Sequence, residues 1–288
     1  MDKLFRIGEF CFRVISELPY AAPDHFRQFA IETGRPEYTY HIQEVQALPG
    51  LEGKRIARRP DMEVIRDGTK ESRLIGIKGT PGYYACYREI SSGEADIWVT
   101  KLVQELMPSD TVYGSLFALD RRMIERGGLI LHCAYIEHHG KGILFSAPSG
   151  VGKSTQAALW EKYRNSVTVN GDRALLRKKE GKWLACAWPV CGSSQICKRV
   201  DVPVHAIVML RQGKKNSVMH LPPIEAFRQL YPQVTVNQWN PEFVQAVING
   251  MEDLILQVPV WQLTCDISEE AVQCLENALF PDDTSKAR

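Results

Sequence analysis

The strongest chemistry in the chain lies in Ala147-Pro148-Ser149-Gly150-Val151-Gly152-Lys153-Ser154-Thr155. The segment fits the phosphate-binding loop pattern, with Ala147 in place of the first glycine. Gly150 and Gly152 let the backbone turn so that successive N–H groups point into one concavity. The helix expected to follow adds the positive end of its dipole. Residues Ser149, Gly150, Val151, Gly152 and Thr155 then cradle a nucleotide's phosphates. Lys153 reaches the β- and γ-phosphates, and the Ser154 hydroxyl ligates Mg²⁺. Context supports this reading, because the apolar run Gly142-Ile143-Leu144-Phe145 precedes the loop and Gln156-Ala157-Ala158-Leu159-Trp160 continues as a helix.

Phosphoryl transfer also needs a carboxylate near the γ-phosphate. Asn170-Gly171-Asp172-Arg173 supplies one at the end of the short apolar strand Val167-Thr168-Val169. Asp172 is placed like an acid that holds metal or takes a proton. The competing reading is an ordinary turn, since Asn-Gly-Asp is good turn chemistry. His132 sits in the apolar run Leu131-His132-Cys133-Ala134; such a lone histidine is usually a hydrogen-bonded core residue. Ser193-Ser194 through Lys198-Arg199 suits either an anion or plain solvent. Cys186, Cys191 and Cys197 with His205 lack paired CxxC spacing and read as core thiols. His138-His139 is expected to lie exposed in a hairpin turn.

The elements that must position these residues follow from periodicity. Short alternating or apolar segments at 4–15, 38–46, 74–77, 83–90 and 95–99, separated by turn residues, predict a mostly antiparallel β region over residues 1–104. One helix is expected from Pro23-Asp24 towards Glu32. Val112, Leu116, Leu119 and Met123 fall on one face of a helix that should stop at Gly127-Gly128. The second domain, 105–288, opens with strands at 129–136 and 142–145 and the loop. Its helix runs to about Tyr163, and strands follow at 167–169, 174–177, 183–187 and 204–210. Late helices are expected from Pro223, from Asn240-Pro241 and from Ser268-Glu269-Glu270, with Phe243, Val247, Met251 and Leu254 facing the core. This order gives an α/β or α+β core.

Composition bounds the function. The 288 residues hold 35 Lys and Arg against 34 Asp and Glu, a net charge of +1, which argues against a bulk nucleic-acid binder. No apolar run approaches the roughly 20 residues that span a bilayer, and the N-terminus has no signal-peptide core. Eight cysteines scattered singly among apolar residues then read as reduced thiols, so a cytoplasmic protein is expected.

Gly128-Leu129-Ile130-Leu131-His132, then residues 142–155, then Asn170-Gly171-Asp172-Arg173 resemble in content and order the HPr kinase/phosphorylase-like group, itself similar to phosphoenolpyruvate carboxykinase in its nucleotide-binding core. The resemblance covers 129–210 well and 105–288 loosely. Residues 1–104 match only as the variable N-terminal part of related kinases. It implies a P-loop core with a mostly β N-terminal domain, His132 near the transferred phosphate, and Asp172 as base for the acceptor hydroxyl or as metal ligand. Members often assemble as hexamers, which leaves a homo-oligomer open. Two departures stand out: the family often has two adjacent acids where this chain has Gly171-Asp172, and residues 188–199 replace its Gly-rich signature. The chain looks more like the diverged kinases found beside modified-peptide gene clusters, some of which phosphorylate a precursor-peptide Ser. The resulting expectation is an ATP- and Mg²⁺-dependent kinase acting on a Ser of a small protein or peptide. Its rivals are a kinase of a free hydroxy-amino acid and a non-catalytic nucleotide sensor.

Overall fold

The computed structural model describes residues 1–18, 22–101 and 106–281, and the chain divides into two compact units, Met1–Arg122 and Met123–Arg288. In the first, the strands are β1 (Asp2–Ile7), β2 (Phe10–Ser16), β3 (Ala30–Ile31), β4 (Tyr38–Val45), β5 (Lys54–Arg59), β6 (Met62–Asp67), β7 (Lys70–Gly76), β8 (Tyr83–Ser91) and β9 (Glu94–Thr100). They form one sheet in the order β3-β1-β2-β4-β9-β8-β7-β6-β5, parallel at β2–β4 and β4–β9 and antiparallel elsewhere. Alternation accounts for the register. Phe5, Phe12 and Tyr40 share one face; Phe5 and Phe12 meet Phe26 of the short helix α1 (Asp24–Arg27), with ring centroids 5.2 and 6.3 Å away, and Tyr40 meets Phe12 at 5.6 Å.

Two helical expectations change here. The helix from Asp24 ends at Arg27, and Ala30–Ile31 pairs with β1 instead of continuing it. The helix expected over 112–123 is two short ones, α2 (Asp110–Ser115) and α3 (Leu119–Ile124). Ser115 Oγ turns back to donate to the Val112 carbonyl at 2.7 Å, and Ala118 takes a positive φ of 47° between the helices. The break seats Tyr113 and Phe117 on Phe26, at 4.9 and 5.4 Å. That aromatic packing is why the first unit runs on to Arg122. The boundary expected at 104/105 lies outside the described residues.

The second unit comprises β10 (Leu129–His138), β11 (Lys141–Ser146), α4 (Lys153–Arg164), β12 (Val167–Asn170), β13 (Arg173–Lys179), β14 (Lys182–Cys186), β15 (Val202–Gln212), β16 (Ser217–His220), α5 (Pro223–Leu230), α6 (Pro241–Gln257), β17 (Val260–Cys265) and α7 (Glu269–Leu279). Its sheet runs β11-β10-β13-β14-β15-β17-β16, with β12 on β10, and the parallel pairing of β11 with β15 closes the first five strands on themselves. Both faces of β10 are covered. Leu129, Leu131, Cys133 and Tyr135 join the core beneath α6, whereas Ala134 and Ile136 join the core beneath α4 and α7. A strand buried on both sides reads as a continuous apolar run, which is its pattern in the sequence. Helix starts fall where their caps predict: Asn240 accepts from the Glu242 and Phe243 N–H groups, and Ser268 from that of Ala271. The chain is therefore a mixed α+β protein with two large sheets. Among the described residues no helix is long and apolar enough to cross a membrane.

His138 departs from expectation. It is the last residue of β10 and is buried, its Nδ1 lying 3.0 Å from Ser166 Oγ and its ring edge-on to Trp160 and Phe280. Only His139, at φ 50°, occupies the turn.

Candidate active site

The loop between β11 and α4 has the backbone its sequence requires. Gly150 sits at φ 83° and Gly152 at φ 118°, in the left-handed region where a side chain is strained, and Gly152 caps α4. Val151 N–H closes a turn on the Pro148 carbonyl at 3.4 Å. Ser149, Gly150 and Ser154 are exposed, with Val151, Gly152 and Thr155 partly so. Lys153 is buried, its Nζ donating to the carbonyls of Ala147 (3.0 Å) and Pro148 (3.3 Å). Burial lowers its pKa, and the negative charge of Asp172 works the other way. The ammonium thus rests on the loop's own carbonyls.

His132 shares strand parity with Ala134 and Ile136 and so lies on the α4 side of β10. Its Nε2 is 3.7 Å from Asp172 Oδ1, beyond hydrogen-bond reach, and its Nδ1 is 3.4 Å from Gln233 Oε1. Burial, and then the nearby Lys153 cation, lower its pKa below the ordinary 6.5, so the ring is neutral at neutral pH. Asp172 Oδ2 lies 3.2 Å from Arg173 Nε, and Arg173 Nη1 donates to Thr235 Oγ1 at 3.1 Å. The fold thus brings Lys153, His132 and Asp172 together from positions up to 40 residues apart.

Asn170 holds the acid in place. It is fully buried; its Oδ1 accepts from the N–H groups of Asp172 and Arg173, both at 2.9 Å, and its Nδ2 donates to the carbonyls of Trp188 (2.9 Å) and Val190 (3.1 Å). The turn chemistry of Asn-Gly-Asp is therefore real, and the same turn carries Asp172. The Asp172 carbonyl also accepts from Cys133 N–H at 3.0 Å, tying the turn to β10.

Gly171 marks the tightest approach. A Cβ there would stand 2.3 Å from Ser194 Cβ and 2.4 Å from its Oγ. The 3₁₀ turn Gly192–Ser194 lies on this glycine, and Lys198 N–H donates to the Val169 carbonyl at 2.8 Å. Ser194 Oγ is committed locally, donating to the Cys191 carbonyl at 2.6 Å and accepting from Ile196 N–H at 3.3 Å. The 193–199 segment is thus a wall of the site; Ser193, Lys198 and Arg199 keep exposed side chains. Cys186, Cys191 and Cys197 are buried core thiols outside any disulfide, and burial pushes the Cys186 thiol up to about 12. Among the described residues no group of three His, Cys, Asp or Glu side chains is arranged around a metal.

The donor set suits Mg²⁺ brought in with a nucleotide. That ion takes one or two protein oxygens, the rest coming from phosphate and water. Ser154 Oγ at the start of α4 and the Asp172 carboxylate would hold it. Sequence reasoning missed Gln233 and Thr235, which come from a turn about 100 residues beyond His132 and carry no local signal. It met Asn170 only as a turn residue.

The family model described as SynChlorMet cassette protein ScmC matches residues 104–280. No curated protein matches the chain. Among solved structures, the Hpr(Ser) kinase/phosphatase from Coxiella burnetii is similar at 11% identity and a TM-score of 0.31, covering 55% of this chain and 96% of that one.

Proposed function

The chain belongs to the SynChlorMet cassette protein ScmC family, and from that premise we propose that it is an ATP-dependent kinase that phosphorylates a Ser hydroxyl of a small protein or peptide. One observation carries the reading: an acid whose backbone turn Asn170 holds, within electrostatic reach of the lysine of a phosphate-binding loop, with a neutral imidazole next to it. The word cassette in the family's description accords with the resemblance to kinases found beside modified-peptide gene clusters.

In this mechanism residues 149–155 cradle the triphosphate, and Lys153 exchanges the Ala147 and Pro148 carbonyls for phosphate oxygens. Ser154, with Asp172 where it acts as metal ligand and not as base, would hold Mg²⁺, which would supply charge neutralisation. Asp172 accepts the proton of the acceptor hydroxyl as its oxygen bonds to the γ-phosphorus and the bond to the ADP oxygen breaks. Neutral His132 orients that hydroxyl without adding a competing cation. Most of the rate comes from positioning and from Lys153 with the loop N–H groups.

Incubation with γ-phosphate-labelled ATP, Mg²⁺ and a lysate of the source cells tests this. Label should enter a peptide or protein band and fall about 10²–10³-fold with Lys153→Met. Label in a soluble metabolite would move the acceptor to a small molecule. ATP bound without any transfer would leave a nucleotide sensor. That second reading is favoured by the closed space at Gly171 and by Arg173 against Asp172, which together leave one partly committed carboxylate.

A further inference from the structure

The first unit's sheet ends on β5, which among the described residues pairs with β6 alone. Its six residues, Lys54-Arg55-Ile56-Ala57-Arg58-Arg59, carry four cations and no anion, and all four cations are exposed. Residues 1–122 hold 17 Lys and Arg against 18 Asp and Glu, a net charge of −1, so β5 concentrates positive charge in a unit that is otherwise acidic. Compensation is partial. Glu63 serves both Arg55 (3.4 Å) and Arg58 (3.1 Å), Arg59 stands 3.8 Å from Asp61, and Lys54 faces another cation, Arg66, across the ladder.

An edge strand leaves half of its N–H and C=O groups facing outward, a template for another extended chain. The bulge between Arg55 and Ala57 and the row of cations disfavour a second copy of β5, which would set four cations against four. The same row favours a strand of opposite charge. β5 has no aromatic ring on which a nucleobase could stack, which favours peptide over single-stranded nucleic acid. We propose that β5 is a docking edge for an acidic, extended peptide, which adds to the sheet as a further strand. On the kinase reading above, on which this identification rests, that peptide is part of the phosphoryl acceptor.

The test uses the full chain without nucleotide and a fluorescein-labelled ten-residue peptide of alternating Glu and Thr, followed by fluorescence anisotropy. Saturable binding is expected, weakened at least tenfold by Lys54→Glu with Arg59→Glu and about as much by N-methylation of the peptide backbone. Simple charge capture would not respond to the methylation. Should the reversal pair fail to fold, Lys54→Gln with Arg59→Gln should still weaken binding severalfold. No saturable binding, indifference to the charge changes, indifference to N-methylation, or tighter binding of oligo-dT through the same residues would each overturn the docking edge. Lys153→Met should bind the peptide like the wild type. Failure of phosphoryl transfer and failure of docking are therefore read separately.

Discussion

Asn170 is the residue on which the candidate site turns, because one side chain makes four hydrogen bonds in three directions. Its replacement by Ala releases the N–H groups that aim Asp172 and leaves the carbonyls of Trp188 and Val190 without their donor. Removing such a support typically costs about 10–100-fold in activity. Buried groups left unpaired cost about 1–3 kcal/mol. Asn170→Ala should therefore lower transfer by that factor while ATP binding, measured by titration calorimetry, changes little; urea unfolding should show the stability loss. Asn170→Asp keeps the two acceptor bonds and loses the two donor bonds, so it should be destabilised yet retain more transfer than Asn170→Ala. Equal transfer in both variants would sink the orienting role. At this scale the sequence was legible where chemistry is local. The phosphate loop and the Asp172 turn each lie within a few consecutive residues, and their backbone needs are written in Gly and Asn. The partners Gln233, Thr235 and Ser194 meet the site only through chain crossings that no local pattern encodes.

A turn laid on another turn, Gly192–Ser194 on Gly171-Asp172, is the corresponding feature among the elements. Any side chain at 171 must displace Ser194, and overpacking of that kind costs about 1–3 kcal/mol. Gly171→Ala should be destabilised by that much, and Ser194→Gly in the same chain should recover a large part of it. The thermodynamic cycle over the two sites reads the coupling directly. Additive effects would show that the contact does not matter. Helix α6 gives an independent check: Asn240→Ala removes the acceptor for two N–H groups and should cost about 1 kcal/mol without altering ATP binding. Element starts of this kind were readable, since a cap residue, a proline and a run at helical spacing agree. The failures have physical causes. β5 alternates too weakly to show, because an edge strand is wet on both faces, and the inner strand β6 loses its period of two by burying Glu63, Val64 and Ile65 in succession. The helix over 112–123 was broken by a serine turned onto its own backbone and by aromatic packing from residues far away in sequence. His138 looked like turn because the polar run His138 to Lys141 hides the last residue of a buried strand.

Across the whole molecule, three histidines among the described residues, His132, His138 and His205, are held below their ordinary pKa, all of them in Met123–Arg288, so stability should respond to acid through them. Burial is the largest cause lowering the pKa of each. Lys153 adds to it at His132, His139 at His138 and Lys141 at His205, while the bond of His205 Nε2 to the Leu279 carbonyl opposes it. A histidine depressed in the folded state is neutral in both states above its ordinary pKa of 6.5 and there leaves stability unchanged. Below 6.5 the unfolded chain takes up protons first, so stability falls with pH until the depressed folded values are passed. Asp253, held low first by Lys178, and Asp266, held low first by Ser268, act in a separate window, because their contribution is lost only as pH falls below about 3.8. Calorimetric melting between pH 7.5 and 5 should therefore show Tm level down to about 6.5 and declining beneath it. His138 and His205 both pack their rings on Phe280 at the end of α7, so His138→Gln with His205→Gln should flatten the decline while leaving most of the Asn170-linked site untouched. A Tm that stays level to pH 5, or a decline unchanged in that double variant, would show that these histidines do not govern the acid response. Nucleotide should shift the balance again, since phosphate charge near His132 opposes the lowering of its pKa and would shrink that histidine's share of the decline.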